Sequence, residues 1–315
     1  MAFEQTVKDF QDNKKSVLNK PVETDAALLQ QRLKSIIDKI IATPDGENLI
    51  RFLLEHNVPV AFSKATQYAV HRTNLALQEG KLMPVPGTQF MLINPDQDDA
   101  LLVSAFLHEA RHAQQCLSGM AMPDKLVSPQ HLAVFTRMLE ADAQAAAVLK
   151  AFKMKLDGDD SLFAAGKTIG YQEMYRVAEE QYARDPTSLD DGRLKRMIFD
   201  AWFSEADGTR HGYDGLVMET VWPFYNGLLE CYPDNSFSKA PLTIADLEKL
   251  GAVGGESINY LTLPGFRSLG DPYYIEGFAP LHHLQLLTLT EAWQKTPQPE
   301  QKLAVPKTAA LKPGG

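Results

Sequence analysis

Two histidines one helical turn apart, His108 and His112, frame the segment His108-Glu109-Ala110-Arg111-His112. On an α-helix, residues i and i+4 project from one face, so both imidazoles can reach a single cation such as Zn2+ at about 2.0–2.1 Å. Glu109 is rotated by one residue from His108. In this class of motif that rotation sets its carboxylate over the open coordination position, where it can take a proton from water acidified by the metal. The chemistry open to such a set is hydrolysis of a polarised carbonyl. The setting strengthens the motif, because Leu101, Leu102, Val103, Phe106, Leu107 and Leu117 make the surrounding segment apolar. Polar groups buried in such a helix need partners.

A catalytic zinc takes a third protein ligand and keeps one position open. The next helical segment opens with Ser128-Pro129, a cap serine followed by proline in the first turn, and contains Glu140-Ala141-Asp142-Ala143. Its alanines let a second helix come close to the first. Glu140 and Asp142 stand about 200° apart around the helix, so only one can face the metal. Glu140 shares its face with Thr136, Arg137 and Gln144, whereas Asp142 is surrounded by Met138, Leu139, Ala145 and Ala146. Burial alone favours Asp142, and both remain candidates on the residues themselves.

The His-Glu-x-x-His pair with Glu-Ala-Asp-Ala following 28 residues later resembles the gluzincin group of zinc peptidases and, more closely, a bacterial family of metallopeptidase-like proteins. The resemblance covers roughly residues 88–148. It implies a zincin-like core, Glu140 as the third ligand, and Asp142 as a supporting partner or a substitute. It departs from that group at Gln144, where an aspartate often orients a histidine; a glutamine can still accept a hydrogen bond. The activity implied is zinc-dependent peptidase action on a protein or peptide, with Glu109 as general base. Two alternatives are an inactive zincin-like protein that binds partner proteins and a metal-dependent amidohydrolase of a non-peptide substrate.

A hydrolytic metal site also uses a donor to steady the developing oxyanion. The candidates are Tyr171, Tyr175, His211 with Tyr213, and Tyr260, Tyr273 and Tyr274, which the sequence does not rank. His56, His71, His131 and the pair His282-His283 read as ordinary polar side chains. Cys116, four residues after His112, reads as a small buried residue, since three successive turns cannot converge on one ion.

The elements that must hold these residues form a mainly helical, α+β pattern. Apolar residues at three- and four-residue spacing predict helices over 24–41 and 47–56. Short strands are expected over 58–62, 67–72 and 89–94, the last directly before the metal helix. That helix is expected over 98–118, capped by Asp98 or Asp99 and closed at Gly119. Further helices are expected over 129–156, 160–183, 188–205, 212–230, 243–250 and 281–294. The expected organisation is an N-terminal arm over 1–20, a metal-binding domain over 21–157, a helical region over 158–295 packed on the same core, and a proline-rich disordered tail over 296–315.

Composition bounds the partners. The 315 residues are 44% apolar and 23% charged, with a net charge of −9, a globular balance with no basic field for nucleic acid or an anionic membrane. Two cysteines, Cys116 and Cys231, give no disulfide framework or C-x-x-C site. The N-terminus has no basic and apolar leader, so a cytoplasmic protein is expected, with leaderless secretion as the alternative.

Overall fold

A computed structural model of the chain describes residues 23–295, apart from 67–68, 74, 79–80, 86, 124–125, 205–208 and 232–238. The arm and the tail expected from the sequence lie outside the described residues. What is described is mostly helical with a small three-stranded sheet, as the patterning predicts.

Helix α1 (Glu23–Ile41) buries Leu33, Ile36, Ile37 and Ile40 on one stripe. Thr43 then caps α2 (Pro44–Glu55), its hydroxyl accepting from the Gly46 N–H. The sheet follows. Strand β1 (Val60–Phe62) runs parallel to β5 (Phe90–Ile93), and β2 (Ala69–Arg72) runs antiparallel along the other side of β5. The order β1-β5-β2 leaves β2 at the edge. A separate antiparallel pair, β3 (Leu75–Gln78) with β4 (Lys81–Pro84), is not anticipated by the sequence pattern. Its Leu, Ala, Gln, Lys and Met residues neither favour strands nor alternate in polarity.

Helix α3 (Asp99–Gln115) carries the histidine pair. Asp98 caps it, accepting from the Leu101 N–H at 2.9 Å. Its C-terminal end widens into a π-turn over Cys116–Met120, in which Gly119 adopts φ +78, the left-handed backbone that glycine accepts without strain. Helix α4 (Pro129–Leu156) starts at Ser128, whose hydroxyl accepts from the His131 N–H. It packs Ala141, Ala143, Ala145 and Ala147 with almost no exposure, so it can lie close against α3.

The single helix expected over 160–183 is two, α5 (Ser161–Gly166) and α6 (Gln172–Arg184). A β-carbon at Gly166 would lie 2.0 Å from the Tyr175 ring, so the chain turns where α6 presses closest. Likewise 188–205 divides into a 3-10 turn over Pro186–Leu189 and α7 (Arg193–Trp202). Helix α8 (Thr209–Cys231) continues through Pro223. Helix α9 (Ile244–Glu248) leads into 3-10 segments over Lys249–Gly255 and Tyr260–Thr262, and α10 (Pro272–Ile275) and α11 (Pro280–Lys295) complete the described chain.

One apolar core runs from Leu33 of α1 to Tyr274 of α10 and includes the inner faces of α3, α4 and α7. A second gathers Leu132 and Ala133 of α4 with Val217, Val221 and Tyr225 of α8 and Leu286, Leu289 and Trp293 of α11. No helix among the described residues is long and apolar enough to cross a membrane.

Candidate metal centre

The α3 histidines lie edge to face, with ring centroids 4.6 Å apart and Nε2 atoms 3.0 Å apart. Glu140 reaches over from α4, its Oε2 standing 3.2 Å from His108 Nε2 and 3.4 Å from His112 Nε2. Among the described residues this trio is the one set of His, Cys, Asp and Glu atoms close enough to share a metal ion, all within 4.8 Å of one another.

The opposite edges of the rings fix which nitrogens face inward. His112 Nδ1 lies 2.7 Å from Gln115 Oε1, while Gln115 Nε2 donates to the Leu139 carbonyl and to Asp142 Oδ2, each at 2.9 Å. Both of those partners only accept, so the amide cannot be reversed, and His112 must carry its proton on Nδ1. Gln144 Oε1 lies 3.1 Å from His108 Nδ1, while the Gln144 Nε2 is buried without a hydrogen-bond partner. With the Nδ1 proton of His112 so engaged, its Nε2, the Nε2 of His108 and a carboxylate oxygen face one another. Such a cluster of acceptors repels itself unless a cation or a proton sits between them.

The electrostatics point the same way. Burial disfavours charge on both Glu140 and His112, yet their mutual attraction outweighs it. The Glu140 carboxyl is held well below the usual carboxylate range, and His112 is lifted to about 9. A site that draws positive charge onto an imidazole suits a cation. Two imidazole nitrogens and one carboxylate oxygen would leave a tetrahedral ion one open position, the donor set of a hydrolytic centre.

Glu109 is nearly buried and does not join the trio. Its Oε2 accepts from the backbone N–H of His71 on edge strand β2 at 2.6 Å. The His71 ring accompanies it, with Nε2 3.2 Å from Gln89 Oε1. Burial, reinforced by the neighbouring His112, pushes His71 down to about 4, so it is neutral near pH 7. Sequence reading treats His71 as an ordinary polar residue; only the fold of β2 over α3 brings it here, and no local spacing marks it.

Asp142 lies elsewhere. Completely buried, it accepts from Arg111 Nε at 2.7 Å, Arg111 Nη2 at 3.0 Å, the Tyr260 hydroxyl at 2.8 Å and Gln115 Nε2. Lys195 stands 3.7 Å away. Burial alone would raise its carboxyl, but the Arg111 and Lys195 charges hold it well below the usual range. Asp142 thus meets the centre only through Gln115 and His112.

Of the aromatic candidates, Tyr213 lies in the field of Glu140 and Glu109. Burial, then Tyr171 and the charges of Glu140 and Glu109, hold its phenol well above the usual value, and its hydroxyl pairs with that of Tyr171 at 2.7 Å. Tyr260 is spent on Asp142, and Tyr273 and Tyr274 donate to the Asp200 carbonyl and carboxylate. Tyr175 packs against Gly166. His211 contacts Asp214, His56 stacks on Phe52, and His131 accepts from the Leu242 N–H. Neither they nor His282 and His283 enter the trio. Cys116 is a buried free thiol that burial pushes up to about 11.

Comparison with protein families gives a match over residues 11–216, well over half of the chain, to the "Putative metallopeptidase family (DUF6782)". No curated protein and no solved structure matches the chain.

Proposed function

The chain belongs to this metallopeptidase family, and from that premise we propose that it is a zinc-dependent peptidase whose ion is held by His108, His112 and Glu140, with Glu109 as general base. The observation that carries the reading is the convergence of two imidazole nitrogens and a carboxylate, each ring backed by a glutamine. Zinc in that position supplies Lewis acidity, polarising the carbonyl to be cleaved and acidifying water.

The chain's own groups do the rest. Glu109 takes the proton of the attacking water and returns it to the leaving amine. Its bond from the His71 N–H keeps one carboxylate oxygen anchored while the other is left for that exchange. Tyr213, held protonated, is the donor for the oxyanion. Neutral His71 adds no competing positive charge beside His112.

The test combines metal content with turnover. Purified protein is expected to hold about one zinc per chain. Glu109→Gln should keep that zinc and lose cleavage of a peptide library or a casein substrate. Full activity in that variant would reject the mechanism, and wild-type protein without zinc would reject the centre.

A further inference from the structure

A cavity of about 720 Å3 opens behind the metal helix, on the side of α3 that carries Leu107 and Arg111 rather than the histidines. Its size is that of a small-molecule site, which typically spans roughly 300–1,000 Å3. Leu49 and Phe52 of α2, Leu107 of α3 and Leu149 of α4 supply apolar wall.

All the cations around it but one are paired. Lys153 pairs with Asp45 at 2.6 Å, and Arg111 and Lys195 share Glu256 at 3.0 and 2.5 Å. Arg51 pairs with Glu47 at 2.6 Å, and Glu55 and Asp190 are exposed to water. Lys150 is the exception. It lines the cavity with 8% of its surface exposed, and its ammonium is shielded from water with no hydrogen-bond partner. Burial pushes it down to about 8, although Asp45 and Asp157 draw it the other way. An unpaired buried ammonium is costly, and a counter-ion recovers much of that cost. Its four-carbon stem lets the ammonium swing towards a ligand.

We infer that this cavity binds a small organic monoanion, an apolar body bearing one carboxylate, with Lys150 as its counter-ion. One ammonium without a hydrogen-bond partner sets one negative charge on the ligand, and the leucine and phenylalanine walls ask for a hydrocarbon body. Inorganic phosphate lacks the hydrocarbon body. The assignment is independent of the peptidase reading, since none of these wall residues belongs to the proposed zinc ligands.

The test uses the full chain with sodium octanoate, octan-1-ol and sodium phosphate at ionic strength matched with sodium chloride, read by calorimetric titration and thermal unfolding. Octanoate is expected to bind and raise the melting temperature of the wild type. It should bind about tenfold more weakly to Lys150→Met, with recovery in Lys150→Arg. Octan-1-ol on the unaltered chain asks for the charge without any substitution and should bind at least about tenfold more weakly than octanoate. Equal binding of octanoate and octan-1-ol, no octanoate binding at all, an undiminished response in Lys150→Met, or a response to phosphate alone would each overturn the assignment.

Discussion

Gln115 touches no substrate in the proposed mechanism, yet it decides which nitrogen of His112 is free. Its Nε2 is committed to Leu139 and Asp142, so its Oε1 holds the Nδ1 proton and leaves Nε2 bare. Gln115→Leu should lower zinc affinity by about 10–100-fold in chelator competition while the protein stays folded. Nitrogen NMR of the metal-free protein above about pH 9, where His112 is neutral, should show its proton on Nδ1 in the wild type and spreading to Nε2 in the variant; an unchanged tautomer would remove Gln115 from the centre. Tyr213→Phe should lower kcat by about 10²–10³ with little change in KM, the pattern of a donor engaged only as the oxyanion forms. Equal losses in kcat and in binding would place the phenol elsewhere. The pair legible in the sequence is the one that a single helix brings together by its own geometry, His108 and His112. Glu140 and Asp142 are not separable that way, because the rotation of α4 against α3 decides between them. Burial correctly marks Asp142 as a stranded carboxylate, but its partner is Arg111, inside the motif itself, and a wheel of α4 alone cannot show that.

At the level of elements, the helices and the three sheet strands around the histidine pair are readable because their apolar residues recur with clear periods. The β3–β4 pair escapes because four-residue strands built from helix-favouring residues carry no such period. The break between α5 and α6 is hidden for another reason. Gly166 is tolerable inside a helical pattern, and only the Tyr175 ring against it shows why the position must be bare. Gly166→Ala therefore forces α6 away from its seat, and should cost about 1–3 kcal/mol in denaturant unfolding. A neutral result would mean that the two helices part without resistance. The packing of α4 is set by residues that look unremarkable in sequence: its alanines have little hydrophobic surface of their own, and their contribution is the short distance they allow.

Across the whole molecule, Asp142 gathers Arg111 of α3, Lys195 of α7 and Tyr260 from the distant C-terminal segment onto one buried carboxylate. Arg137 does the same further along α4, pairing with Asp214 of α8, donating to the Glu276 carbonyl and lying 3.4 Å from the Phe278 ring centroid. Because the folded Asp142 carboxyl is held below its ordinary 3.8, its stabilisation is complete above that value and is lost as pH falls through the folded one. Asp142→Asn should cost about 3–5 kcal/mol at pH 7. The gap from wild type should narrow as the solution is acidified below pH 3.8, and a gap independent of pH would show that the charge is not what matters. Two of the contacts between α3 and α4, Glu140 with the histidines and Asp142 with Arg111, lie two residues apart on the same helix. Sliding α4 by one turn, about 5.4 Å, would separate both at once. The five-residue segment is thus not a portable cassette. Grafted onto another scaffold, it would bring a guanidinium that demands an acid in the interior, so a transplant has to carry matched stretches of both helices to work.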